Sequence, residues 1–184
     1  MQAFTYSYPT KVYFGEGAAA SALAQELPKA GRTVLLAYGG GSIKRSGIYD
    51  QLKGFLEQAG KEVVEFSGIM ANPTYAKAQE GVALARRRHV DFILAVGGGS
   101  VIDCSKVIAA QAVLEEDIWQ MEYQKGRMPS GGIPMGAVIP GLYVCGNVQG
   151  SRYAVEYPIC LRGISHSLCV YYGYVAGKNC VAGV

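Results

Sequence analysis

Phe92-Ile93-Leu94-Ala95-Val96-Gly97-Gly98-Gly99-Ser100-Val101-Ile102-Asp103 joins an apolar run, a glycine triplet and the start of a second periodic segment. Phe92–Val96 is continuous in apolar residues, as expected of a parallel strand buried on both faces. Val101–Ala110 has apolar residues at helical spacing, and Ser100 just before it is a candidate N-cap. Strand, glycine turn and helix in this order make a geometry that binds phosphate. Glycine lets the backbone approach an anion with no Cβ in the way. The helix N-terminus adds free N–H groups and the positive end of a dipole. A plain tight strand-to-helix connection accounts for the same residues. The turn is not a P-loop, because no G-K-S/T run follows, and Ile102 breaks the G-x-G-x-x-G pattern. Asp103 in the first turn suits the helix dipole; as a functional group it would hydrogen-bond a ribose or a nicotinamide.

Working outward, the same design occurs earlier. Thr33–Tyr38 is a second buried strand, and it runs into Gly39-Gly40-Gly41-Ser42. Lys11–Phe14 reads as a short strand before the turn Gly15-Glu16-Gly17, and Ala18–Leu27 as an alanine-rich helix stopped by Pro28. Ser46–Ala59 is amphipathic, with Ile48, Leu52, Phe55 and Leu56 on one side, and ends at Gly60. Glu62–Phe66 is a third strand. Pro73 disfavours the α region for Asn72, and a helix follows over Tyr75–Arg88. Asp91–Val96 is the fourth strand. Leu114–Trp119 reads as helical, Tyr123–Gly132 as a polar loop, and Ile133–Ile139 as a last strand.

Strands alternating with helices of about 10–15 residues predict an α/β fold with a Rossmann-like parallel sheet and flanking helices. In such sheets ligands sit beyond the carboxyl ends of the strands. Both glycine turns and Asn72 follow strands, so all three fall on that edge. Two phosphate-friendly turns favour a dinucleotide over a mononucleotide.

Composition narrows the function classes. The chain has 184 residues, half of them apolar, which suits one full core and perhaps a further fragment, and excludes disorder. A net charge of +3 points to no nucleic-acid partner, and Arg86-Arg87-Arg88 reads as a solvated helix end. No apolar run approaches the roughly 20 residues of a membrane span, and no signal peptide opens the sequence. Five cysteines, an odd number, suit reduced thiols better than a disulfide framework. The expected location is the cytoplasm.

These motifs resemble the N-terminal half of the iron-containing alcohol dehydrogenase family, in particular its butanol dehydrogenase-like branch. The resemblance rests on Phe4-x-Tyr6, Pro9–Gly15 with Gly17, Tyr38-Gly-Gly-Gly-Ser-Ile-Lys44, Asn72-Pro73, Gly97–Asp103 and Ile133-Pro134-Met135. They span residues 1 to about 140 in the right order. The resemblance implies the N-terminal domain of a dehydroquinate synthase-like fold, here residues 1–140. It implies a nicotinamide cofactor and alcohol oxidation or aldehyde reduction with a divalent metal. By the same resemblance, Gly97, Gly98, Gly99 and Ser100 hold the pyrophosphate and Asp103 lies near the nicotinamide side. Gly39, Gly40 and Ser42 meet the adenosine ribose, and Asn72 shares the edge. Many NAD-using relatives carry an Asp in that second turn to accept from a 2′-OH. Here the turn is neutral with Lys44 and Arg45 nearby, so NADP(H) is expected over NAD(H). A family-type homodimer has no residue here that argues for it.

The family continues into a helical C-terminal domain whose Asp and three His hold iron or zinc. This sequence has only His89 and His166, and no Asp after Asp117, so the metal is not expected to bind and no catalytic residue is assigned. Residues 141–184 are atypical: four charged residues, four of the five cysteines and six of the thirteen tyrosines, with no sustained period. His166 with Cys145, Cys160, Cys169 and Cys180 matches no paired C-x-x-C zinc design. A reading-frame shift near Pro140 explains the stretch better. Permissive codons for Val144–Arg152, read one nucleotide later, spell S-A-E-M-S-K-G-A-V, close to a stretch the family has there. The expectation is therefore a truncated dehydrogenase with cofactor binding, no catalysis and a poorly ordered tail. The alternative is a stand-alone nucleotide-binding or regulatory module that pairs with another chain. A Tyr-Lys dehydrogenase is a third reading; Tyr49/Lys53 and Tyr174/Lys178 have the spacing, but neither has the context.

Overall fold

The computed structural model describes Thr10–Ile139, within the unit Met1–Ile139. The expectations for Phe4, Tyr6 and residues 140–184 lie outside the described residues. Four strands, β1 (Thr33–Tyr38), β2 (Glu62–Phe66), β3 (Phe92–Val96) and β4 (Met135–Val138), form one sheet in the order β2-β1-β3-β4. Every pairing in it is parallel.

Helices cover both faces. They are α1 (Ala18–Glu26), the short α2 (Ser42–Arg45), α3 (Ile48–Gln58), α4 (Tyr75–Arg87) and α5 (Gly99–Val113). Successive strand residues point to opposite faces, and β1 shows this directly. Val34, Leu36 and Tyr38 pack with Leu23, Leu27, Leu52 and Leu56 from α1, the turn after it and α3. Leu35 and Ala37 pack with Ala78, Val82, Ala85 and Ile108 from α4 and α5. β1 is therefore buried along its whole length, which is why its sequence is an uninterrupted apolar run.

Several boundaries differ from the sequence reading, each for a local reason. Ser100 is not the N-cap of α5; Gly98 is, in extended backbone, and Ser100 lies inside the first turn. Lys11–Phe14 forms no strand, and Val12 and Phe14 stay exposed. The helix expected over Ser46–Ala59 starts two residues later, at Ile48, because Gly47 adopts φ 76° and forms its N-cap. Leu114–Asp117 is not helical. The Arg86 side chain takes the carbonyls of Gln111, Ala112 and Leu114. Buried Gln111 binds Glu116 O and Ile118 N–H through its amide. Side chains thus satisfy the groups that a continued helix would have paired, and helical backbone resumes only at Ile118. β4 is shorter than expected, Met135–Val138. The strand Phe92–Val96, the strand Glu62–Phe66 and the helix from Tyr75 stand where the sequence places them.

Candidate functional site

The chain leaves β1 for β2 on one side of the sheet, and leaves β3 for β4 on the other. β1 and β3 are therefore the strands between which the topology switches direction. In open parallel sheets this is where a crevice opens beyond the carboxyl ends. Tyr38 and Val96 are the last residues of these two strands and are register partners. Gly39 and Gly97 come next, so the two glycine turns leave the sheet side by side.

The Gly97 turn is shaped by backbone. Gly97 has φ +147°, and a Cβ there would stand 2.9 Å from Val101 Cγ2. Its N–H donates to Val138 O at 3.0 Å, which ties the turn to the end of β4. Gly98 O accepts from Val101 and Ile102 N–H. No side chain caps α5, so the N–H groups of Gly99 and Ser100 face outward with no partner among the described residues. A Cβ at Gly98 or Gly99 would meet nothing within 4 Å, so the space over this helix end is open. α4, which starts on the same edge, is closed by Thr74, whose Oγ1 accepts from Lys77 N–H at 3.2 Å. The α5 end, without such a cap, presents free donors and the positive end of a dipole.

The neighbouring loops close on this turn. The N–H of Asn72 reaches Ser100 Oγ at 3.4 Å, and Asn72 itself sits at φ 52°. Gly68 N–H donates to Gly39 O at 2.9 Å, and Ile69 N–H to Tyr38 O at 3.3 Å. So the segment after β2 is pinned to the first glycine turn and touches Ser100. Among the residues expected from the sequence, Gly39, Asn72, Gly97, Gly98, Gly99 and Ser100 come together here. Gly40 and Ser42 lie further along the first turn, where a Cβ on Gly40 would have open space. Asp103 is exposed in the second turn of α5 and pairs with Lys106 at 3.2 Å. It takes no part in the contacts between the loops.

The first glycine turn is not a copy of the second. It opens onto the four-residue α2, and the Arg45 guanidinium lies over Gly41. Beside it is a cluster that the sequence reading missed. Glu65 near the end of β2 accepts from Tyr49 at 2.5 Å and from Tyr38 at 2.7 Å. Lys44 lies 3.8 Å from the same carboxylate and 4.6 Å from the Tyr49 ring centre. The two hydroxyls, Tyr49 first, hold the Glu65 carboxyl below its usual range, and the carboxylate in turn pushes the Tyr49 hydroxyl up to about 12. Gly47 as N-cap places Tyr49 in the first turn of α3. The available signal was the alternation in β2, which turns Glu65 away from Val64 and Phe66.

Among the described residues, no group of three or more His, Cys, Asp or Glu side chains could hold a metal ion. The ion that the family resemblance implies does not fit these residues. Among the same residues, no helix is long and apolar enough to cross a membrane.

Comparison with known proteins identifies the family. Residues 9–142 match the family described as iron-containing alcohol dehydrogenase. The chain is 48% identical over 139 residues to the probable NADH-dependent butanol dehydrogenase 1 of Bacillus subtilis, covering 76% of this chain and 35% of that protein. It is 43% identical over 141 residues to the NADPH-dependent aldehyde reductase YqhD of Escherichia coli, again covering 76% and 35%. The crystal structure of NADH-dependent butanol dehydrogenase A from Thermotoga maritima superposes with a TM-score of 0.70 at 40% identity, over 76% of this chain and 35% of that one. The chain thus spans about a third of the length of these relatives. On these matches and on the sheet that carries them, the chain belongs to the iron-containing alcohol dehydrogenase family.

Proposed function

We propose that residues 1–140 are a nicotinamide-dinucleotide-binding domain of an alcohol dehydrogenase or aldehyde reductase. The observation that carries this is the pairing of Tyr38 with Val96, which sets two glycine turns next to each other at the switch point of the sheet. The pyrophosphate rests on Gly97, Gly98, Gly99 and Ser100, where the free N–H groups and the dipole of α5 favour an anion. Ser100, braced by Asn72, lines the same place. The adenosine ribose meets Gly39, Gly40 and Ser42. Asp103 lies on the nicotinamide side.

Cofactor choice follows from charge. The first turn has no acidic residue to accept from a 2′-OH, while Arg45 lies over Gly41 and Lys44 stands two residues past Ser42. We read NADPH as the tighter ligand. The relatives' names include both NADH- and NADPH-dependent enzymes, so the preference belongs to these few side chains and not to the family at large.

In a complete relative the bound cofactor would supply hydride to a carbonyl carbon. The residues here would bind the dinucleotide and orient it along the strand ends. With no metal ligand set among them, the 184-residue chain would hold cofactor without turning over aldehyde. Cys104, buried and with its thiol pushed up by burial, suits a reducing, cytoplasmic setting. The test is a titration of the full chain with NADPH and NADH, following nicotinamide fluorescence. Saturable binding of NADPH tighter than NADH supports the reading; no binding of either, by a folded chain, rejects it.

A further inference from the structure

Glu65 gathers three groups beside the first glycine turn. Its two oxygens accept from Tyr49 and Tyr38, and Lys44 Nζ stands 3.8 Å from the oxygen that Tyr38 uses. Lys44 Nζ is also 4.6 Å from the Tyr49 ring centre and 5.5 Å from that of Tyr38. Tyr38 and Tyr49 meet edge to face, with centroids 5.9 Å apart. Lys53 Nζ is 5.9 Å from the Tyr49 ring. The lysine is thus held from below by two aromatic faces and from the side by a carboxylate, while half of its side chain remains exposed. Nothing in the fold of the sheet requires a charged residue at position 65, since its side chain is partly in solvent.

We infer that Glu65 tunes cofactor specificity through its charge: its carboxylate partly neutralises Lys44 beside the Gly39–Ser42 turn. The inference rests on the proposed reading of that turn as the adenosine-ribose site. A 2′-phosphate carries a charge of about −1.5 to −2 near neutral pH, whereas a 2′-hydroxyl carries none. A carboxylate beside the cation that faces such a group subtracts from the field that attracts it. The cation–π contacts keep Lys44 near the turn even without Glu65. Glu65 therefore moderates the preference for NADPH and has little influence on NADH.

Glu65→Gln tests this with little disturbance. The amide oxygen still accepts from Tyr49, and the amide N–H can donate to the Tyr38 oxygen. In the full chain at low salt, E65Q should tighten NADPH about threefold, the size of an exposed charge pair, and leave NADH unchanged. In a Lys44→Gln background NADPH should bind more weakly, and E65Q should still tighten it, because the carboxylate also repels the 2′-phosphate directly. Weaker NADPH binding in E65Q, or an equal shift for both dinucleotides, would each overturn the inference. Should the unmodified chain bind neither dinucleotide, the ribose-site reading fails by itself. The Lys44 placement is then decided by NMR. The Lys44 ε-methylene protons should be shifted upfield by the tyrosine rings both in the unmodified chain and in E65Q; shifts of an unshielded lysine in either would overturn the placement on which the inference depends.

Discussion

Tyr38 and Val96 face each other as register partners at the ends of adjacent parallel strands. Their pairing places Gly39 and Gly97 next to each other at the carboxyl edge of the sheet.

Gly40→Asp should move the preference from NADPH toward NADH. A Cβ at Gly40 meets nothing within 4 Å, so the carboxylate fits without displacing its neighbours. Two like charges about 4 Å apart repel by ~1 kcal/mol even in water, which corresponds to about fivefold. The ratio of the two dissociation constants, measured by nicotinamide fluorescence, should fall by at least that factor. An unchanged ratio would remove the first turn from cofactor choice.

Gly97→Ala should both destabilise the fold and weaken dinucleotide binding. The residue has φ +147°, and its Cβ would press on Val101 within the first turn of α5. Strain of this kind costs ~1–3 kcal/mol. Urea unfolding should show the lower stability, and the titration should show weaker binding for NADH and NADPH alike, since the pyrophosphate is common to both.

The Glu65 cluster predicts two pH limbs. Glu65 has a depressed native pKa, so its contribution is present above the ordinary carboxylate value and lost as pH falls through the native one. Tyr49 has a raised native value of about 12. Its contribution is therefore complete below the ordinary tyrosine value, near 10, and lost as pH rises through about 12. Tyr49→Phe should flatten the alkaline limb of stability against pH and shift the acid limb upward, because Glu65 loses the larger of its two hydroxyl partners. Thermal unfolding from pH 3 to 11 checks both; an alkaline limb that survives Y49F assigns it to another group.

Arg86→Met should cost about 2 kcal/mol, within the range for hydrogen bonds to a charged group. The guanidinium serves the carbonyls of Gln111, Ala112 and Leu114, where α5 ends. Methionine keeps most of the apolar stem but leaves those carbonyls to water. The denaturation midpoint should fall with an unchanged slope in urea. A loss below about 0.5 kcal/mol would mean that water replaces the arginine without penalty.

The purified 184-residue chain should carry no stoichiometric iron or zinc and should reduce no aldehyde with either cofactor. The basis is the sequence, which has two histidines and no aspartate after Asp117. Elemental analysis that finds one tightly held metal per chain would contradict this and direct attention to His166 and the cysteines around it.

Much of the architecture was legible in the residues themselves. Thr33–Tyr38 and Phe92–Val96 had to be buried strands, because their apolar runs leave no face for water. The glycines after each had to be turns, and Pro73 marked the start of the helix that follows over Tyr75–Arg88. Local chemistry of this kind is written along the chain and needs no distant partner. Side-chain caps and clusters are not local in that sense. The end of α5 depends on Arg86, 25 residues away from Gln111, and Gly98 displaced Ser100 as N-cap although serine is the better capping residue. The reach of Asn72 to Ser100 and the meeting of Tyr38, Lys44, Tyr49 and Glu65 depend on how loops and helices pack. Sequence alone established that two glycine turns lie on one edge of a parallel sheet. Only the strand order β2-β1-β3-β4 decided that they lie side by side, because parallel strands pair through long crossovers whose destination no short stretch of sequence encodes.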